Sequence, residues 1–91
     1  MVSVEFASSL RRHVECAPQR VGVGADNLRA VLEAALLRAP GLAPYVFDDQ
    51  RCIRKHVAVF INQTLVTDRR NLNQILQPGD QVLVIQALTG G

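Results

Sequence analysis

The chain opens on an alternation. Val2, Val4 and Phe6 are apolar and Ser3 and Glu5 between them are polar, the period of a strand with one buried and one open face. A weaker alternation runs from His13 to Val23, with Ala17-Pro18-Gln19 as an interruption or turn. The two segments are expected to pair as a hairpin. The period then changes. Leu28, Val31, Leu32, Ala35, Leu36 and Ala39 recur at the i, i+3, i+4, i+7, i+8 spacing of an amphipathic helix. Asp26 is the expected N-cap. Pro40-Gly41 is the expected stop, through a missing donor and a left-handed turn.

Beyond the helix, residues 42–55 hold no sustained period and predict irregular structure or a short hairpin around Asp48-Asp49. A strand follows from His56 to Asn62, apolar at every position from Val57 to Ile61. After a turn at Asn62-Gln63 comes a short edge strand at Leu65-Val66, then one helical turn from Leu72 to Leu76. Pro78-Gly79-Asp80 is a turn, and Gln81 to Leu88 the last strand. The order predicts an α+β domain: a mixed sheet of four to five strands with one main helix on one face. Residues 1–88 form this single domain, and residues 89–91 are expected to be a flexible tail.

The last strand carries Val82-Leu83-Val84-Ile85, apolar on both faces. Such strands lie in sheets covered on both sides, yet one helix covers only one. The other face then presents an apolar patch that fits a partner. If Val57, Val59, Ile61, Val82 and Val84 point to the helix, Ala58, Phe60, Leu83, Ile85 and Ala87 point away from it, toward Leu88 and the tail. A one-residue slip would reverse this facing and put Phe60 and Leu83 in the core. The patch of Phe60, Leu83, Ile85, Ala87 and Leu88 is the candidate partner-binding surface.

Length and charge narrow the function. Ninety-one residues support one domain. The net charge of +2, with basic residues dispersed apart from Arg11-Arg12 and Arg69-Arg70, argues against nucleic acid. Glu5 and Arg11-Arg12 interrupt any apolar leader, and no run approaches the roughly 18 apolar residues of a membrane helix. A cytoplasmic protein is expected. Cys16 and Cys52 lack metal-ligand spacing; they are expected as reduced thiols, one or both packed in the core.

Nor does the interior offer a reaction. Gly22-Val23-Gly24-Ala25-Asp26-Asn27 nearly matches a dinucleotide fingerprint, but its third position is Asn and the chain is too short for a doubly wound sheet. Its glycines fit the turn into the helix. Asp48-Asp49 reads as a turn, since acid–base work needs two carboxyls in different environments. His13 and His56 have no Asp, Cys or Ser at a known catalytic spacing. The domain is expected to be no enzyme and to bind no metal or cofactor of its own.

The C-terminal segment is different. Thr89-Gly90-Gly91 follows directly on the last strand. Two residues without side chains can thread a narrow channel and adopt backbone angles closed to other residues. Phe60-Ile61-Asn62-Gln63-Thr64-Leu65-Val66, Leu76-Gln77-Pro78-Gly79-Asp80-Gln81-Val82 and Thr89-Gly90-Gly91 together resemble the β-grasp (ubiquitin-like) sulfur carriers of the MoaD/ThiS group. That group includes the small subunit of molybdopterin synthase and the thiamin-biosynthesis carrier. The resemblance spans nearly the whole chain. It implies that the carboxylate of Gly91 is adenylated by a partner activating enzyme using ATP, then becomes a thiocarboxylate that donates sulfur, with Gly90 as the flexible approach. It implies two partners, the activating enzyme and a sulfur-accepting synthase or large subunit. The destination is of molybdopterin, thiamin or cysteine type. The long segment 46–56 departs from the best-known members and looks more like carriers of cysteine or other sulfur-metabolite pathways. Gln86-Ala87 stands where many relatives have proline. The competing readings are a ubiquitin-like modifier joined to lysine through Gly91, and a β-grasp interaction module without tail chemistry.

Overall fold

The computed structural model describes residues 1–87. Five strands form one sheet in the order β2-β1-β5-β3-β4, with β1 Val2–Phe6, β2 Arg20–Val23, β3 Val57–Ile61, β4 Thr64–Leu65 and β5 Gln81–Gln86. β1 and β5 run parallel at the centre and every other pair is antiparallel. The hairpin of β1 and β2 forms as expected, Val4 lying opposite Val21. β2 is shorter than its alternation suggested: Ser8–Arg11 form a short helix, α1, that buries Leu10, and the chain then turns through Arg12 to Cys16 before β2 begins. Four residues are too few for a period to show in the sequence.

The main helix, α2, spans Leu28–Leu37 and lies on one face of the sheet. Its buried residues Leu28, Val31, Leu32, Ala35 and Leu36 are the ones the spacing selected. They meet Val2, Val4, Phe6, Val57, Val59, Val82 and Val84 in a single core. The N-cap is Asn27 rather than Asp26: the Asn27 side chain accepts from the Ala30 amide at 2.8 Å, while Asp26 Oδ1 accepts from the Asn27 amide at 2.7 Å. After α2 come a 3-10 turn, Pro40–Leu42, and a short helix, α3, Ala43–Val46. Gly41 is not in a left-handed turn. A Cβ there would come within 2.9 Å of Val14, so what glycine permits is close approach.

The segment expected as a hairpin around Asp48-Asp49 closes through a bridge between Phe47 and Ile53. Asp48 Oδ1 accepts from the amides of Gln50 and Cys52, both at 2.9 Å. Residues Leu72 to Leu76 do not form a helical turn: Leu72 takes a left-handed φ of 54° and Ile75 bridges to Asn27. Their carbonyls serve α2: Leu28 N donates to Gln74 O at 2.8 Å and Arg29 N to Leu72 O at 2.9 Å. The first amides of a helix have no partner within it, and here a neighbouring strand-like segment supplies the acceptors. Leu72 and Leu76 are both buried, which is why their spacing resembled a helix. Cys16 is exposed and Cys52 half-buried, both free, so neither packs in the core as expected.

Two turns are tied together at the start of β5. Asn62 and Gln63 both have positive φ, 48° and 72°, which makes the tight connection from β3 to β4. The Asn62 side chain donates to Asp80 Oδ1 at 3.0 Å and accepts from the Gln81 amide at 2.9 Å. Asp80 Oδ2 accepts from the Gln77 amide at 2.8 Å, and Gly79 between them takes a φ of 93°. The Gln77 amide and the Asn62 side chain hold the Asp80 carboxyl below its ordinary value of 3.8. A carboxyl lowered on folding adds stability above its unfolded value and loses it as pH falls through the folded one. Asp80→Asn is therefore expected to give a shallower fall in melting temperature on acidification below the ordinary carboxylate range. An acid limb identical to that of the unaltered protein would show that the lock carries no pH dependence.

Candidate functional site: the open face of the sheet

The face away from α2 is set by the same alternation that builds the core. Val57, Val59, Val82 and Val84 are buried toward the helix. Phe60, Leu83 and Ile85 lie on the other face, each half-buried. Phe60 sits opposite Leu83, and Ala58 opposite Ile85. On the other side of β5, Glu5 pairs with Leu83 across the parallel ladder. Phe60, Leu83 and Ile85 thus form one contiguous apolar strip along β3 and β5.

The strip is the floor of a shallow concavity of 360 Å³ whose walls are polar. Ser3 and Glu5 of β1 and Arg20 of β2 line one side, and Asn62, Gln63 and Gln81 the end nearest the tied turns. Glu5 and Arg20 form an ion pair at 2.9 Å across the face, its charged groups partly in solvent. Such an exposed pair contributes little to stability; its effect here is to place one donor and one acceptor beside an apolar strip. The sequence patch of Phe60, Leu83 and Ile85 is brought together, but the face is half polar. Ser3, Glu5 and Arg20 were missed, although the alternation of β1 already put Ser3 and Glu5 on this side.

At its far end β5 leads out of the domain. Gln86 N donates to Ser9 Oγ at 3.3 Å, and the Gln86 side chain meets His13 Nε2 at 2.6 Å. Ala87 N donates to His56 O at 2.7 Å and Ala87 is exposed. Leu88, Gly90 and Gly91, and with them the expectation of a mobile tail, lie outside the described residues. His13 stacks on Tyr45 with ring centroids 4.4 Å apart. Among the described residues no group of His, Cys, Asp or Glu could hold a metal ion, and no helix is long and apolar enough to cross a membrane.

A five-stranded mixed sheet with one helix across it and one face open defines a β-grasp domain, and the solved structures agree. Over its full length the chain matches the BexX/CysO complex from Amycolatopsis orientalis, covering all of that chain with a TM-score of 0.80 at 19% identity. It matches small archaeal modifier protein 1 (SAMP1) from Methanosarcina acetivorans over 99% of this chain and 95% of that one, at 0.78 and 18%. It also matches the complex of subunits 1 and 2 of the molybdopterin-converting factor from Helicobacter pylori over 99% and 97%, at 0.63 and 23%. Comparison with curated protein sequences finds no match. The ThiS family model matches residues 10–91, and the chain belongs to the ThiS family.

Proposed function

We propose that this protein is a sulfur carrier that works through the carboxylate of Gly91. A partner enzyme activates that carboxylate with ATP as an acyl adenylate, releasing pyrophosphate. A sulfur donor then displaces AMP, leaving a thiocarboxylate that a synthase consumes. The observation that carries this reading is the ThiS family match, which runs through residue 91 and so includes Gly90 and Gly91. The fold supports it: the apolar strip of Phe60, Leu83 and Ile85 runs along β3 and β5, and β5 leads to Ala87, so one surface can hold a partner while the tail enters it. The protein is then a co-substrate rather than an enzyme. It binds no cofactor, since the activating enzyme uses the ATP, and it acts in the cytoplasm. Two of the matched structures are complexes with another protein, which fits a carrier passed between partners. The sulfur is destined for a cofactor or a sulfur metabolite of molybdopterin, thiamin or cysteine type.

The likeness to SAMP1, a protein called a modifier, favours a second reading in which Gly91 is joined to a lysine of another protein. Intact mass decides between them. After incubation with the activating enzyme, ATP and a sulfur donor, the mass is expected to rise by the difference between one sulfur and one oxygen. Conjugates at the summed mass of this chain and another protein less one water, without the thiocarboxylate, would select the modifier. An unchanged mass would count against both.

A further inference from the structure

The root of the tail lies in a basic setting assembled from two distant parts of the sequence. Arg11-Arg12-His13 ends α1, and Arg54-Lys55-His56 precedes β3. The fold brings them to the end of β5. His13 meets the Gln86 side chain at 2.6 Å, and the His56 carbonyl accepts from Ala87 N at 2.7 Å. The Tyr45 ring, stacked on His13, joins the two runs: Tyr45, Arg54, Lys55, His56 and Gln86 line one groove of 420 Å³. Arg12, His13, Arg54, Lys55 and His56 are all exposed.

Two carboxylates lie close to these residues. Asp48 lines the same groove, its Oδ1 already accepting from two backbone amides, and Glu15 is exposed two residues beyond His13. Arg54 is anchored through Nε, which donates to Pro44 O at 2.6 Å. Its guanidinium is thus held at the surface.

We infer that these two runs form a basic collar that docks on an acidic rim around the entrance of the activating enzyme's site. The inference rests on the carrier reading above. From Ala87 to Gly91 are four residues, which reach at most about 14 Å. A reacting centre that meets the Gly91 carboxylate therefore lies no farther than that from Ala87. Residues beside Ala87 must then press against the enzyme's outer surface. Cations there favour an acidic counterpart and speed encounter, an effect that salt weakens. The open face of the sheet supplies the apolar grip, and the collar supplies orientation of the tail toward its entrance.

Lys55→Glu and Arg12→Glu test this in ATP–pyrophosphate exchange with the activating enzyme, the carrier being the varied substrate. Each is expected to raise the KM for the carrier about tenfold at low ionic strength with kcat nearly unchanged, since steering of this kind alters encounter rates by 10-fold or more. The difference should shrink as salt is added. The double variant Asn73→Glu/Gln77→Glu, which changes net charge by as much near the start of β5, should keep the KM of the unaltered protein. Equal KM values for all these proteins would overturn the collar while exchange itself upheld the carrier reading. A fall in kcat alone would also overturn it, placing these cations at the reacting centre. No exchange by the unaltered protein would remove the carrier reading and the collar together. Thermal melting of each variant confirms folding, and Lys55→Gln, expected to show about half the effect on a logarithmic scale, serves should Lys55→Glu misfold.

Discussion

Deleting Gly91, or adding one residue after it, is expected to abolish ATP–pyrophosphate exchange and leave the melting temperature where it was. The two halves of that expectation have separate causes. On the proposed carrier reading, the group activated is the carboxylate of Gly91. A shortened chain falls short of the reacting centre, and an extended one presents an amide there. Stability, by contrast, resides in the core built by β1, α2, β3 and β5, whose buried side chains among the described residues lie between Val2 and Val84. Gly90→Ala is the graded version. It keeps the carboxylate but adds a methyl group and narrows the allowed backbone angles, so exchange should slow rather than vanish. Unchanged exchange by the shortened protein would end the assignment of Gly91 as the reacting residue.

The second large effect concerns the open face. Phe60→Ala and Ile85→Asp are expected to weaken binding of the activating enzyme by about 2 kcal/mol or more, the usual loss for an aromatic or apolar anchor at the centre of an interface. Folding should suffer less. Phe60 and Ile85 are only half-buried and face away from α2, whereas Phe6 is fully buried. Phe6→Ala should cost the ~3–5 kcal/mol typical of a core aromatic. Chemical denaturation of Phe60→Ala and Phe6→Ala side by side, with calorimetric binding of Phe60→Ala, separates the two roles. If Phe60→Ala destabilised the fold as much as Phe6→Ala and bound its partner normally, the strip would belong to the core and the interface would lie elsewhere. Glu5 and Arg20 refine the picture, because a partner that covers the strip must also meet their charges.

Strands of period two and a helix of period 3.6 leave strong marks in a sequence, and these segments were legible. Val57, Val59, Val82 and Val84 point to α2 and Phe60, Leu83 and Ile85 away from it, the facing inferred from alternation alone. The reversed register loses because it would expose those four valines. What escaped notice is structure made by contacts between distant segments. Residues Leu72 to Leu76 form no helical turn, and their carbonyls accept instead from the amides of Leu28 and Arg29, a pairing invisible in a local window. Asn27 outcompetes Asp26 as cap through the position of one side-chain oxygen. Gly41 is set by the approach of Val14, far away in sequence. At the site, the apolar half of the open face was legible and the polar half was not, since Arg20 reaches Glu5 only once β1 and β2 have paired.

The central pairing of the sheet joins the first strand of the chain to the last described one, Ser3 beside Gln81 and Phe6 beside Val84. Closing so long a loop is entropically costly and makes folding slow relative to a chain of local contacts. On a ribosome, β1 emerges before β5 and must wait for it while every other element is made. Until then β1 and β3 lack the neighbour that separates them, and the apolar side chains of both remain in water. The strand that completes the core is the one that leads to the tail. A chain that stops short of β5 therefore has neither a finished core nor a complete open face, since Leu83 and Ile85 of that face lie on β5.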